Sequence, residues 1–225
     1  MTIRACIFDA YGTLFDIAGA AREAAEEPGR ERLKELWPRL AEDWRQKQLQ
    51  YTWLRAAAGR HADFWQVTCD GLDWALEAAG LDDPALRTRL LDLYRRLPAY
   101  PEVPAVLSAL KAKGLHCAIL TNGTPGMMED ALVAAGIGGH LDAVLSAEEA
   151  GVFKPSPKVY DLVGQRFGTD PSEVLFVSAN GWDAAGGAGY GFRTLWVNRT
   201  GAPSDRLYAE PAHVASDLTG VPDLV

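Results

Sequence analysis

Five short, mostly apolar runs punctuate the chain: Ile3 to Phe8, His116 to Leu120, Ala143 to Leu145, Val174 to Val177 and Thr194 to Val197, the last four separated by stretches of helical spacing. Runs that lack polar alternation fit strands buried on both faces, and their alternation with helices predicts a doubly wound parallel sheet of the α/β class. Between Asp16 and about Pro98 the alternation stops and the pattern predicts helices alone. One covers Arg39 to Ala58, beginning near Pro38 and closed by Gly59. A second covers Ala62 to Ala79, with Gly80 just past its end. A third covers Pro84 to Leu97, with Asp83 as N-cap and Pro84 at the first helical position. The expected organisation is an α/β core over residues 1–15 and 99–225 with a small helical cap, residues 16–98, inserted after the first strand. Pro98, Pro101 and Pro104 mark the return to the core, and the Pro- and Asp-rich segment Gly201 to Val225 is expected to wrap the surface.

Each apolar run stops at a polar cluster: Asp9, then Thr121-Asn122-Gly123, Ser146, Ser178-Ala179-Asn180-Gly181, and Asn198-Arg199. Parallel strands send all of these to one edge of the sheet, so residues far apart in sequence meet in one crevice. A lone carboxylate after a strand commonly caps a turn or a helix. The converging polar ends favour chemistry at Asp9 instead, with the Thr13 hydroxyl placed to orient it. Thr121-Asn122-Gly123-Thr124 reads equally as an everyday turn or as a hydroxyl at the crevice. Lys154 lies in a loop stiffened by Pro155 and Pro157, which lowers the entropy cost of holding its ammonium in place. Tyr160, six residues on, either packs against the sheet or lends its hydroxyl to Asp9 or Lys154. Arg45, Leu49 and Trp53 recur every four residues and put a guanidinium beside apolar bulk on one helix face. The crowding of Trp44, Tyr51, Trp53, Phe64 and Trp65 implies a dry compartment, where an arginine attracts an anion more strongly than in water.

Composition narrows the partners. The 225 residues, 48% hydrophobic, suffice for one core and a smaller accessory unit. A net charge of −8 argues against nucleic acid or a membrane surface as partner. Cys6, Cys69 and Cys117 are too dispersed for a metal knuckle and read as reduced thiols of a cytoplasmic protein. No run is long and apolar enough to span a bilayer, and the N-terminal residues show no signal-peptide pattern.

The segment Phe8-Asp9-Ala10-Tyr11-Gly12-Thr13-Leu14-Phe15-Asp16 resembles the nucleophile motif of the haloacid dehalogenase (HAD) superfamily, whose aspartate forms a covalent ester with substrate. In the phosphatases of that superfamily the residue two beyond the nucleophile is a second aspartate that protonates a leaving oxygen. Tyr11 cannot do this at neutral pH, and a halide leaving group needs no proton. Phosphatases also place acidic residues early in the segment matched by Ser178-Ala179-Asn180-Gly181-Trp182-Asp183, to hold magnesium. Here only Asp183 is acidic, so the site is expected to work without metal or other cofactor, Asp183 pairing with Lys154 or directing a water.

With Trp44 to Arg55 added, the whole chain resembles the L-2-haloacid dehalogenases, which join a Rossmann-type, HAD-like core to a helical cap. The resemblance implies Asp9 as nucleophile, surrounded by Thr13, Thr121, Lys154, Tyr160, Ser178, Asn180 and Asp183. It implies Arg45, assisted by Asn122, as receiver of the halide. Ser178 and backbone donors near Ala10 and Tyr11 would bind the substrate carboxylate. Tyr11, Leu49, Phe64 and Trp182 would line a small apolar pocket, with Gln46 nearby. Gly181 and the Gly186-Gly187 pair suggest a looser local backbone. The implied reaction is hydrolysis of short (S)-2-haloalkanoic acids to (R)-2-hydroxyacids in a homodimeric enzyme. Fluoroacetate hydrolysis, a magnesium-dependent phosphatase, or a binding protein that keeps a small-anion pocket are the alternatives.

Overall fold

The structure is a computed structural model that describes residues 2–225. Six parallel strands form one sheet in the order β3-β2-β1-β4-β5-β6. They are β1 (Ala5–Phe8), β2 (His116–Thr121), β3 (Ala143–Ser146), β4 (Val174–Ser178), β5 (Arg193–Val197) and β6 (His213–Ala215). The order runs outward in both directions from β1, which pairs with β2 through Phe8 and Ile119 and with β4 through Phe8 and Val177. Asp9 therefore leaves the sheet at the switch point of a doubly wound topology, where such sheets leave a crevice. Its amide still donates to the Val177 carbonyl at 2.9 Å, so the ladder fixes the backbone up to the carboxylate itself.

Helices α5 (Val103–Ala112), α6 (Pro125–Ala135), α7 (Pro157–Phe167) and α8 (Gly181–Tyr190) connect the strands. Between β1 and α5 lie α1 (Gly19–Ala25), α2 (Glu31–Ala58), α3 (Phe64–Ala78) and α4 (Pro84–Tyr94). The chain leaves for this helical layer and returns from it along a short antiparallel ribbon. There the Asp16 amide donates to the Pro98 carbonyl and the Tyr100 amide to the Leu14 carbonyl, both at 2.9 Å. Buried apolar residues form one cluster from the sheet through Tyr11 and Phe64 to Trp44 and Leu72.

Several elements differ from the sequence reading. Helix α2 starts at Glu31, eight residues before the expected Arg39, and carries Pro38 inside it. A proline in a helix interior removes one backbone bond and crowds the preceding turn. Leu33 and Leu40, both buried, anchor the helix on either side of it, so tertiary packing outweighs the local defect. Helix α3 begins at Phe64 rather than Ala62, because the Asp63 side chain caps it by accepting from the Gln66 amide at 2.8 Å. Helix α4 has the expected Asp83 cap but ends at Tyr94, short of Leu97. The tail expected only to wrap the surface contributes β6, whose three residues pair with β5. That edge strand is short and largely open, with Val214 58% exposed, so it carries no apolar signature. Among the described residues no helix is long and apolar enough to cross a membrane.

Candidate active site

The turn after β1 is wound tightly around the carbonyl of Ala10, which accepts from the amides of Thr13, Leu14 and Phe15. Gly12, at φ 85°, supplies the left-handed residue this winding requires. The turn brings Thr13 back over Asp9, and the Thr13 hydroxyl donates to Asp9 Oδ2 at 2.9 Å. The same hydroxyl accepts from the Ala179 amide at 2.8 Å, so the β1 and β4 turns are locked together. Asp9 Oδ2 also accepts from Asn180 Nδ2 at 2.9 Å. Oδ1 faces Lys154 Nζ at 3.2 Å and has no other partner among the described residues, which makes it the less encumbered oxygen.

Lys154 is 1% exposed and stands between two carboxylates, with Asp183 Oδ2 at 2.8 Å on its other side. Burial works against its charge, but the charges of Asp183 and Asp9 outweigh this and raise the lysine above its ordinary pKa. Asp183 is wholly buried, and burial raises its carboxyl although Lys154 pulls the other way. Tyr160 donates to Asp183 Oδ1 at 2.7 Å. Burial first, and then the charge of Asp183, hold its phenol well above the usual tyrosine range. The Tyr160 hydroxyl thus serves Asp183, and neither Asp9 nor Lys154 directly as the sequence reading expected.

Asn180 links this buried group to the helical layer. Its Nδ2 holds Asp9, and its Oδ1 accepts from the Arg45 guanidinium of α2. Arg45, Leu49, Asn180 and Trp182 line a cleft of about 560 Å³, together with Gly12 and Arg199. Asp9, Lys154 and Asp183 lie just behind that wall. Tyr11 is 5% exposed, its ring packed on Phe64 at 5.7 Å and Tyr94 at 5.4 Å between centroids. Trp53 meets Trp182 edge-on at 5.4 Å, so the face defined by Arg45, Leu49 and Trp53 does turn toward the α8 motif. The compartment is less dry than expected, because Trp53 is 39% exposed and Tyr51 and Trp65 are half-buried.

Other expected residues sit differently. Gln46 does not line the cleft: it is exposed and bonded to Glu42 at 2.7 Å, roughly opposite the buried Gln48 on α2. Gln48 is the buried glutamine, donating to Thr68 at 2.7 Å and Tyr94 at 3.0 Å. Ser178 is fully buried and its Oγ accepts from the Asn180 amide at 3.1 Å, so it shapes the turn instead of facing the cleft. Thr121 Oγ1 likewise accepts from the Gly123 amide at 3.0 Å. Asn122 Oδ1 accepts from the Lys154 amide at 2.9 Å and so positions the lysine loop, with no bond to Arg45. The glycines of α8 mark close contact and not looseness. A Cβ at Gly186 would lie 2.3 Å from the Tyr160 hydroxyl oxygen, and one at Gly187 2.6 Å from the Phe176 ring. Tyr94 and Gln48 went unremarked in sequence, although Trp44, Gln48 and Thr52 make a stripe at four-residue spacing that marks the buried face of α2. Among the described residues no group of three or more His, Cys, Asp or Glu side chains could hold a metal ion.

The family model for haloacid dehalogenase-like hydrolases matches residues 3–191. The (S)-2-haloacid dehalogenase 1 of Pseudomonas sp. strain CBS-3 is 44% identical over 226 residues, covering 99% of this chain and 96% of that protein. The solved structure of a dehalogenase superposes with a TM-score of 0.94 at 39% identity, over 99% of this chain and 97% of the other. The L-2-haloacid dehalogenase from Xanthobacter autotrophicus with chloropropionic acid covalently bound has a TM-score of 0.87 at 38% identity, over 99% and 98% of the two chains.

Proposed function

The chain belongs to the haloacid dehalogenase-like hydrolases and, among them, to the (S)-2-haloacid dehalogenases, and from that membership we propose that it hydrolyses short (S)-2-haloalkanoic acids through an ester on Asp9. One observation carries the assignment of roles. The Asp9 carboxylate is held at Oδ2 by Thr13 and Asn180 and meets only Lys154 at Oδ1 among the described residues, while the Asn180 that touches it also receives the Arg45 guanidinium.

In this reading Asp9 Oδ1 attacks C2 in line with the carbon–halogen bond. The bonding pair leaves with the halide toward Arg45, and the carbon inverts. Water then attacks the carboxyl carbon of the ester. The bond from that carbon to the bridging oxygen breaks, a (R)-2-hydroxyacid departs with one aspartate oxygen, and Asp9 returns with a water oxygen in its place. Overall, haloacid and water give hydroxyacid, halide and a proton. Lys154 keeps Asp9 ionised, and Asp183, held by Lys154 and Tyr160, is oriented to direct the water. Because the ammonium already stands between both carboxylates, and Tyr11 and Ser178 supply no further acid, the charge balance calls for no divalent ion.

The division into a core, residues 1–15 and 99–225, and a cap, residues 16–98, belongs to the same reading, with α1 to α4 covering the crevice. So does assembly as a homodimer, which the exposed Leu54 and Trp74 on α2 and α3 would serve, and residence in the cytoplasm. Fluoroacetate is the variant substrate to weigh against chloro- and bromo-acids.

The test is halide release from the separate S and R forms of 2-chloropropionate with chelator present, beside p-nitrophenyl phosphate with magnesium. Release from the S form alone, indifferent to chelator, is the expected result. Phosphate release without halide release would replace this reading with the phosphatase one. Asp9→Asn should abolish single-turnover halide release, and a full burst in that variant would remove Asp9 as nucleophile.

A further inference from the structure

Both strands of the ribbon that joins the helical layer to the sheet pass under one guanidinium. Arg199 follows β5, so it arrives from a third part of the chain. Its Nη2 donates to the Thr13 carbonyl at 3.1 Å on the outgoing strand. On the returning strand it lies over the Tyr100 ring at 3.6 Å, and just past that strand it pairs with Glu102, the N-cap of α5, at 2.7 Å. The pair is mostly shielded, with side chains 19% and 16% exposed, so it is screened much less than a surface ion pair. Thr13 is also the residue whose hydroxyl holds Asp9 Oδ2 at 2.9 Å.

We propose that Arg199 is a positioning residue, a pin that fixes the crossing angle of the two linker strands and, through Thr13, the rotation of the Asp9 carboxylate. This rests on the reading of Asp9 as nucleophile. The guanidinium is suited to the task because its flat face can stack on Tyr100 while Nη2 donates to the Thr13 carbonyl and its charge pairs with Glu102, an ion pair without a hydrogen bond; a compact lysine ammonium cannot combine these contacts. Loosening the pin lets the Thr13 carbonyl drift, and displacement of an attacking oxygen by a fraction of an ångström lowers the rate of an in-line displacement without weakening substrate binding. Arg199 touches neither Asp9 nor Lys154 but does line the cleft, so a direct effect on substrate would show as a changed KM, whereas the pin acts on the burst through Thr13.

The experiment compares wild type with Arg199→Ala, Arg199→Lys and Glu102→Gln, and with Leu110→Ala, buried in the last turn of α5, as a control destabilised away from the linkers. Single-turnover halide release from (S)-2-chloropropionate, KM, and amide hydrogen exchange over residues 13–16 and 98–102 are measured. Arg199→Ala should slow the burst about 10- to 100-fold with KM changed less than about threefold. Exchange should rise in both linker strands together, and Glu102→Gln should show the same pattern more weakly. Arg199→Lys should recover only part of the burst, and Leu110→Ala should leave burst rate and linker exchange unchanged. An unchanged burst in Arg199→Ala, or a burst that falls equally in Leu110→Ala, would overturn the pin. If wild type releases no halide the dehalogenase reading fails, and the exchange data alone then decide whether Arg199 holds the linkers.

Discussion

Replacing Gly186 by alanine should damage the protein through one oxygen atom. The added Cβ would lie 2.3 Å from Tyr160 Oη, 3.0 Å from the Pro155 Cβ and 3.1 Å from Tyr160 Cζ. Ordinary van der Waals contact begins at 3.4 Å, so the hydroxyl must retreat by about 1 Å. That breaks its 2.7 Å bond to Asp183 Oδ1 and leaves a wholly buried carboxylate oxygen without that donor. Overpacking costs about 1–3 kcal/mol, and the orphaned acceptor costs about 1–3 kcal/mol. The melting temperature should fall by roughly 5–20 °C for a chain of this size. In a Tyr160→Phe background the clashing oxygen is absent and Asp183 Oδ1 already lacks its donor, so Gly186→Ala adds only the milder crowding against Pro155 and the ring and should cost less than in wild type. Urea denaturation of the four proteins gives the coupling directly, expected at about 1–3 kcal/mol in favour of the double variant. Single-turnover halide release should follow the same logic, each single variant slowed and the double no worse than Tyr160→Phe. Additivity within about 0.5 kcal/mol would refute the idea that Gly186 exists to let Tyr160 reach Asp183.

Lys154→Met strips the cation from between Asp9 and Asp183 and should destabilise the fold by about 3–5 kcal/mol, as breaking a buried ion pair does; an unchanged urea midpoint would contradict the ion-pair geometry. Burial pushes the Tyr94 phenol up to about 12, against the Gln48 hydrogen bond and the charge of Arg45. An unfolded tyrosine ionises near about 10, so between these values the unfolded chain releases a proton that the folded chain keeps, and stability falls as pH rises. Tyr94→Phe should therefore flatten the loss of urea midpoint between pH 9 and 11.5, and equal slopes in the two proteins would sink this account. Gln46→Ala should leave stability within about 0.5 kcal/mol and halide release as in wild type. Gln48→Ala should cost about 1–3 kcal/mol by stranding Thr68 and Tyr94, and reversed results for the two glutamines would mean that the face of α2 is misassigned. Glu148→Ala removes the carboxylate that receives the Phe64 amide at 3.0 Å and faces His61 at 2.9 Å across the layers. Faster amide exchange at the start of α3 is expected, and protection as in wild type would show that Glu148 does not hold it.

What could be read from the chain follows the range of the forces involved. The first five strands were legible because strands buried on both faces write continuous apolar runs, and their polar ends named Asp9, Thr121 and Ser178 as neighbours before any geometry was known. Thr13 over Asp9 was legible too, being four residues away within one turn. Strand β6 was not, because an open three-residue edge carries no such run. The extension of α2 through Pro38 was hidden because a local breaker was overruled by Leu33 and Leu40, whose burial depends on other helices. Gly186 misled for the same reason: its meaning lies in the hydroxyl of Tyr160, on another helix. The bonds of Arg199 to Thr13 and Arg45 to Asn180 span 186 and 135 residues, and no periodicity in the sequence reports them.

The shared amide of Asn180 also sets the electrical state of the crevice. An amide is uncharged, so the groups at the centre are Asp9 and Asp183 against Lys154 and Arg45, two negative and two positive. These four groups balance one another before anything enters. A haloalkanoate adds a single negative charge; halide and hydroxyalkanoate carry two away, balanced by the proton released from the attacking water. A phosphate dianion would have to share the space with both carboxylates while the two fixed cations are already engaged, and at the low effective dielectric of a buried site that excess is costly. An acid in place of Asn180 would tip the same pocket toward needing a mobile cation, so the difference between one side-chain nitrogen and one oxygen separates a site that balances itself from one that must recruit a metal.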